Sequence, residues 1–155
     1  MRHLLASLCL CSAVLATLGC SGDKSQVALS ASVQQPMLSV DSSSVGADAN
    51  GGFSLVMQLG DYASDPTEVS LGSFSIQRDE KDLLTPLSLA GGTFPVSLGV
   101  GKKVMLPMTF TESTEPSVAT DLCQAPVQIR GTLMDTLSND HPTVAVSATF
   151  TPTCN

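Results

Sequence analysis

Charge is scarce in this chain: only 14% of its 155 residues are Asp, Glu, Lys or Arg, where soluble domains usually carry about a quarter. With 43% of its residues apolar, it is not a disordered polyelectrolyte. Trp is absent, and one Tyr with five Phe is too little aromatic surface for a stacking platform. Basic residues are the scarcer sign, seven against fourteen acidic, so the formal charge is −7. The basic footprint that neutralises phosphates is therefore missing, which excludes nucleic acid as a partner.

Catalytic signatures are also lacking. The sequence has no phosphate loop, no dinucleotide fingerprint and no Gly-x-Ser-x-Gly elbow to expose one of its many serines. Beyond the first few residues the one histidine is His141, in Asn139-Asp140-His141-Pro142, which reads as a turn residue and not as a general base. Asp48-Ala49-Asn50-Gly51 echoes the start of a calcium loop but lacks the later bidentate Glu, so it reads as an Asx-rich turn. Asp61 and Asp65 could add oxygens to it only if the fold joined the two regions. The expectation is a protein that is not an enzyme and has no catalytic residues, no metal and no cofactor.

What is present begins at the N-terminus. Met1-Arg2-His3 is a short basic start, and Leu4 to Leu18 runs without a charge until Gly19-Cys20-Ser21-Gly22 ends it. A membrane-spanning helix needs about 20 apolar residues, so this shorter run reads as a secretory signal. Leu15-Ala16-Thr17-Leu18-Gly19-Cys20 resembles the lipobox of bacterial lipoproteins, with Gly19 and Cys20 matching the pattern. That resemblance implies a signal peptide over residues 1–19, lipidation (palmitate) of Cys20 and a membrane anchor through the lipid. It further implies outer-membrane delivery, since Ser21 and not Asp follows the lipidated residue. The alternative is ordinary signal-peptidase cleavage near Ala16, with Cys20 a bystander.

Removing residues 1–19 leaves six basic and fourteen acidic residues, a charge of −8. No basic amphipathic stretch exists to lie on anionic lipid, so membrane contact must come from the anchor. Residues 20–25 then form the lipidated Cys and a short tether, and the five residues after Cys20 reach at most about 17 Å.

Of five cysteines, Cys9 and Cys11 leave with the signal and Cys20 is acylated, so Cys123 and Cys154 remain as an even pair. Export implies an oxidising compartment, and neither residue has metal-like spacing, so a disulfide is expected; two reduced structural cysteines are the alternative.

Residues 26–155 show the period of two that belongs to half-buried strands. Gln26 to Ser30 and Met37 to Val40 are two short strands, the second followed by a loop closed at Asn50-Gly51-Gly52. Phe53, Leu55, Met57 and Leu59 then alternate with Ser54, Val56 and Gln58, and Gly60 to Pro66 is a loop. Val69 and Leu71 keep one parity and Phe74 and Ile76 the other, which places a β-bulge at Gly72-Ser73. Arg78-Asp79-Glu80-Lys81-Asp82 reads as a solvated hairpin turn. Leu83 to Leu89, Phe94 to Leu98 and Val104 to Phe110 continue the series, and Pro107 puts its strand on an edge or at a bulge.

The last two strands suggest a register. If Cys123 faces Cys154 in an antiparallel hairpin, Val127 faces Phe150, Ile129 faces Ala148 and Leu133 faces Val144, so one pairing satisfies the disulfide and the apolar face. No eleven-residue stretch shows a helical apolar period, and eight or nine short strands point to an all-β fold. Gly101 to Phe110, a Gly-polar turn leading into alternating apolar residues, resembles a strand phrase of immunoglobulin-like and fibronectin-like modules of bacterial surface proteins. The expected architecture is an immunoglobulin-like antiparallel β-sandwich following the signal peptide, with a closed β-barrel as the alternative. The expected function is that of a lipid-anchored envelope protein that contacts a protein partner as a structural or assembly component. A surface binding module or adhesin for an extracellular ligand is the second class.

Overall fold

Parity along the chain translates into two packed sheets. A computed structural model describes residues 29–43, 46–138 and 141–155. Within them are ten strands and one helix: β1 (Leu29–Ser42), β2 (Ala47–Leu59), β3 (Thr67–Arg78), β4 (Lys81–Leu84), β5 (Leu89–Ala90), β6 (Val96–Leu98), β7 (Lys103–Thr114), α1 (Pro116–Gln124), β8 (Gln128–Asp135), β9 (Thr143–Val146) and β10 (Thr153–Cys154). One sheet has the order β10-β1-β2-β7-β5, and the other β4-β3-β8-β9, with β6 pairing β3. The sheets pack face to face as a β-sandwich, and neither closes into the barrel that was the alternative.

The first two expected strands are one. Leu29 and Val33 face the core on odd positions and Leu38 and Val40 on even ones, and the parity changes at a register shift between Gln34 and Met37. An extra residue there, with Gln35 at φ 50 beside Pro36, bends β1 without ending it. The expected turn at Asp48 to Gly52 is likewise strand, because β2 runs through it from Ala47. Gly51 occurs there for packing and not for turning: a Cβ would lie 2.2 Å from Cζ of Phe110, whose ring occupies that space.

The alternation from Phe53 to Leu59 is the second half of β2, with Leu55, Met57 and Leu59 fully buried. The shift expected at Gly72-Ser73 is present between Leu71 and Phe74 of β3. Opposite it on β8, the Thr132 hydroxyl accepts the Ser73 N–H at 3.2 Å and so satisfies a donor that the bulge frees. Pro107 has an edge position: β5 pairs only with Thr109 and Phe110, so the outer side of Pro107 has no strand beside it. Across the core, Phe53 of one sheet stacks on Phe74 of the other, centroids 5.6 Å apart and planes inclined 18°.

The C-terminal register is correct at one end and displaced at the other. Val127 and Phe150 exchange backbone hydrogen bonds of 2.9 and 2.8 Å, as expected. From there the pairs are Arg130 with Val146, Gly131 with Ala145, Thr132 with Val144 and Leu133 with Thr143, one residue out of the expected phase. Ala145 and Ser147 therefore face the core in place of Val144, Val146 and Ala148, and Val144 is 40% exposed. The physical reason lies on the neighbouring strand. Phe74 fills the space over Gly131, where a Cβ would lie 2.2 Å from its ring, so the core favours Ala145, not a bulkier residue, beside it. Ser147 makes the slip tolerable: its buried hydroxyl accepts from the Ile129 N–H at 2.9 Å and donates to the Ala148 carbonyl at 2.7 Å.

Helix α1 was not expected. Pro116 stands in its first turn, where a missing N–H is harmless, and Val118, Ala119, Leu122 and Cys123 share a face of which Ala119 and Leu122 are buried. At nine residues it is too short to show over eleven.

Candidate functional site

Cys123 and Cys154 are bonded, with Cα atoms 6.2 Å apart, but not across a hairpin. Cys123 is on the last turn of α1, and Cys154 belongs to β10, which leaves the sheet of β8 and lies parallel to β1 with Ser39 opposite Thr153 and Val40 opposite Cys154. The bond thus ties the helix to a short strand at the edge of the first sheet. Three further hydrogen bonds hold that strand: Asn155 N–H to the Val40 carbonyl at 3.0 Å, Ser42 N–H to the Asn155 carbonyl at 3.2 Å, and Asn155 Nδ2 to Asp41 Oδ1 at 2.8 Å.

Beside this crosslink the ends of β1, β2 and β7 form an open groove of about 740 Å³, lined by Asp41, Ser42, Asp48, Ser113 and Glu115 among others. Asp41 and Asp48 are directly opposed on β1 and β2. Like charges so placed destabilise a sheet, and each here accepts from a neutral donor: Asp41 from Asn155, and Asp48 from the Ser113 hydroxyl at 2.7 Å. Among the described residues that line the groove none is lysine, arginine, histidine or cysteine, and they offer carboxylate and hydroxyl oxygens.

The four residues considered for calcium are not brought together. Asp48 and Asn50 are near the start of β2 and Asp61 and Asp65 lie beyond its far end, separated by up to about 36 Å at about 3.3 Å per residue. Among the described residues no group of three or more His, Cys, Asp or Glu is placed to hold a metal ion. His141 is exposed and its backbone N–H donates to the Ser138 carbonyl at 3.1 Å. Cys20 lies outside the described residues, as do Asn139 and Asp140. Among those described, no helix is long and apolar enough to cross a membrane.

The charge run at residues 78–82 does form a hairpin turn, with Asp79 and Glu80 at φ 48 and 65 between β3 and β4. Its flanking residues are structural. Arg78 turns back to α1 and donates through Nη2 to the carbonyls of Asp121 at 2.7 Å, Leu122 at 3.3 Å and Ala125 at 2.8 Å. These are the carbonyls a helix leaves without partners at its end. Asp82 accepts from Gln77 Nε2 at 2.6 Å, and hydrogen bonds from Ser75 and Gln77, with the nearby charge of Arg130, hold its carboxyl below the ordinary value. Sequence reasoning missed Arg78 because it missed the helix; Pro116 followed by apolar residues at 118, 119, 122 and 123 was the available signal.

Compared with known proteins, the chain matches no family model and no curated protein is significantly similar to it.

Proposed function

We propose that this protein is a lipid-anchored, non-catalytic component of a bacterial envelope, held at the outer membrane and acting through contacts with a protein partner in a structural or assembly role. One observation carries the reading: an uncharged run after a basic start ends in Gly19-Cys20, and Leu29, only nine positions later, is already in a strand of the sandwich. Eight intervening residues span at most about 28 Å, so a lipid on Cys20 holds the domain close to the bilayer. The acidic chain has no basic amphipathic stretch with which to bind anionic lipid by itself, and Ser, Thr and Gln are frequent at its exposed strand positions. The non-catalytic part of the reading rests on the single histidine outside the signal and on the missing nucleophile motifs.

Growth with radiolabelled palmitate tests the anchor. Wild-type protein should take up label and fractionate with outer membranes, whereas Cys20→Ala should take up none. Unlabelled wild-type protein would sink the reading. Crosslinking in intact cells followed by purification tests the partner, and recovery of the chain uncrosslinked to any envelope protein would count against an assembly role.

A further inference from the structure

The two ends of the Cys123–Cys154 bond are held very unequally. On the Cys123 side, α1 is anchored by Ala119 and Leu122, 1% and 0% exposed, and by the Arg78 guanidinium at its last carbonyls. On the Cys154 side, Thr153, Cys154 and Asn155 are all exposed and β10 contributes no side chain to the core. Backbone pairing this short gains little beyond the entropy lost in ordering its residues. The bond is also approachable: Cys154 is exposed, Cys123 is half-buried, and both line an opening of about 400 Å³ with Ala119 and Gln124.

We propose that this disulfide is a site of thiol–disulfide exchange with a dithiol reductant, and that its opening releases β10 from β1 while the sandwich stays folded. A thiolate of the reductant attacks Sγ of Cys154, the more exposed of the two cysteines. The S–S bond breaks, and its electron pair leaves on Sγ of Cys123, which takes up a proton. The second thiol of the reductant then attacks the mixed disulfide, expels Cys154 as a thiolate that is protonated in turn, and the reductant departs as its own disulfide. The domain gains two thiols and the dithiol loses two electrons. With β10 free, the Val40 carbonyl and the Ser42 N–H lose their partners, and this part of β1 becomes an open strand edge beside the acidic groove. The inference is independent of whether Cys20 carries lipid.

Amide hydrogen exchange on the full chain in detergent, before and after dithiothreitol, tests it. Reduction should speed exchange at Ser42 and Asn155 by about tenfold or more, with Ala119, Ile129 and Gly131 keeping their protection. A chain ending at Pro152 should reproduce the fast exchange at Ser42 without any reductant. Three results would overturn the proposal: complete reduction with Ser42 still protected, loss of protection at Ala119 and Ile129 together with Ser42, or a bond that dithiothreitol opens only after denaturation.

Discussion

Arg78 and Ala125 stand 47 positions apart, yet the guanidinium of one donates to the carbonyl of the other at 2.8 Å. Through the same nitrogen Arg78 reaches Asp121 and Leu122, so one cation from a β-hairpin closes the end of α1, where carbonyls lack partners and positive charge is favoured. Arg78→Ala should lower stability by about 2 to 3 kcal/mol, since half-buried carbonyls lose a charged donor. Arg78→Lys should recover only part of this, because one ammonium at the Nη2 position cannot also replace the Nε donor to the Pro126 carbonyl at 3.4 Å. Urea denaturation of the three proteins checks the order, and equal stabilities would remove the capping role.

At Gly131 the Phe74 ring leaves no room for a methyl group, since an added Cβ would lie 2.2 Å from it. Gly131→Ala should therefore cost about 1 to 3 kcal/mol through overpacking, although alanine is otherwise the better strand residue. Calorimetry would show a lowered Tm; an unchanged one would mean that the Phe74 ring can move aside.

The displaced pairing of β8 and β9 predicts a contrast between adjacent positions. Val144, on the outer face, should accept lysine with a change within about 0.5 kcal/mol, whereas lysine at the fully buried Ala145 should cost more than about 3 kcal/mol. Measured unfolding free energies in the reverse order would restore the alternative phase, with Val144 inside.

Asp82 supplies a dependence on pH. Its carboxyl titrates below the ordinary 3.8 because Ser75, Gln77 and Arg130 favour the ionised form, so the folded state binds that proton less readily than the unfolded one. The resulting stability is fully present above pH 3.8 and is lost as pH falls through the lower folded value. Asp82→Asn removes this contribution. Its stability should fall less steeply than that of the wild type as acid is added below pH 4, and parallel profiles in urea titrations would refute the assignment.

Alternation made much of the fold legible. Phe53 to Leu59, the bulge at Gly72-Ser73, the edge position of Pro107 and the pairing of Val127 with Phe150 depend on period-two patterning or on the missing N–H of proline, which a sequence displays directly. The disulfide was legible by composition, because only Cys123 and Cys154 remain once the expected signal peptide and the proposed lipidation site Cys20 are set aside. Its placement was not. The expected hairpin joined the right sulfurs by the wrong route, since α1 and the change of sheet before β10 bring Cys154 to Cys123 from the opposite sheet.

By itself, then, the sequence determined the alternation from Phe53 to Leu59, the parity change at Gly72-Ser73, which cysteines pair and that the chain forms an all-β domain, because each of these follows from local pattern or from counting. Only the tertiary structure decided that Gly51 and Gly131 make room for Phe110 and Phe74, that Ala145 and not Val144 faces inward, and that Arg78 closes a helix 43 to 47 residues away. Those outcomes depend on volumes and unpaired backbone groups contributed by distant segments, and such complementarity exists only once the two sheets and α1 are packed together.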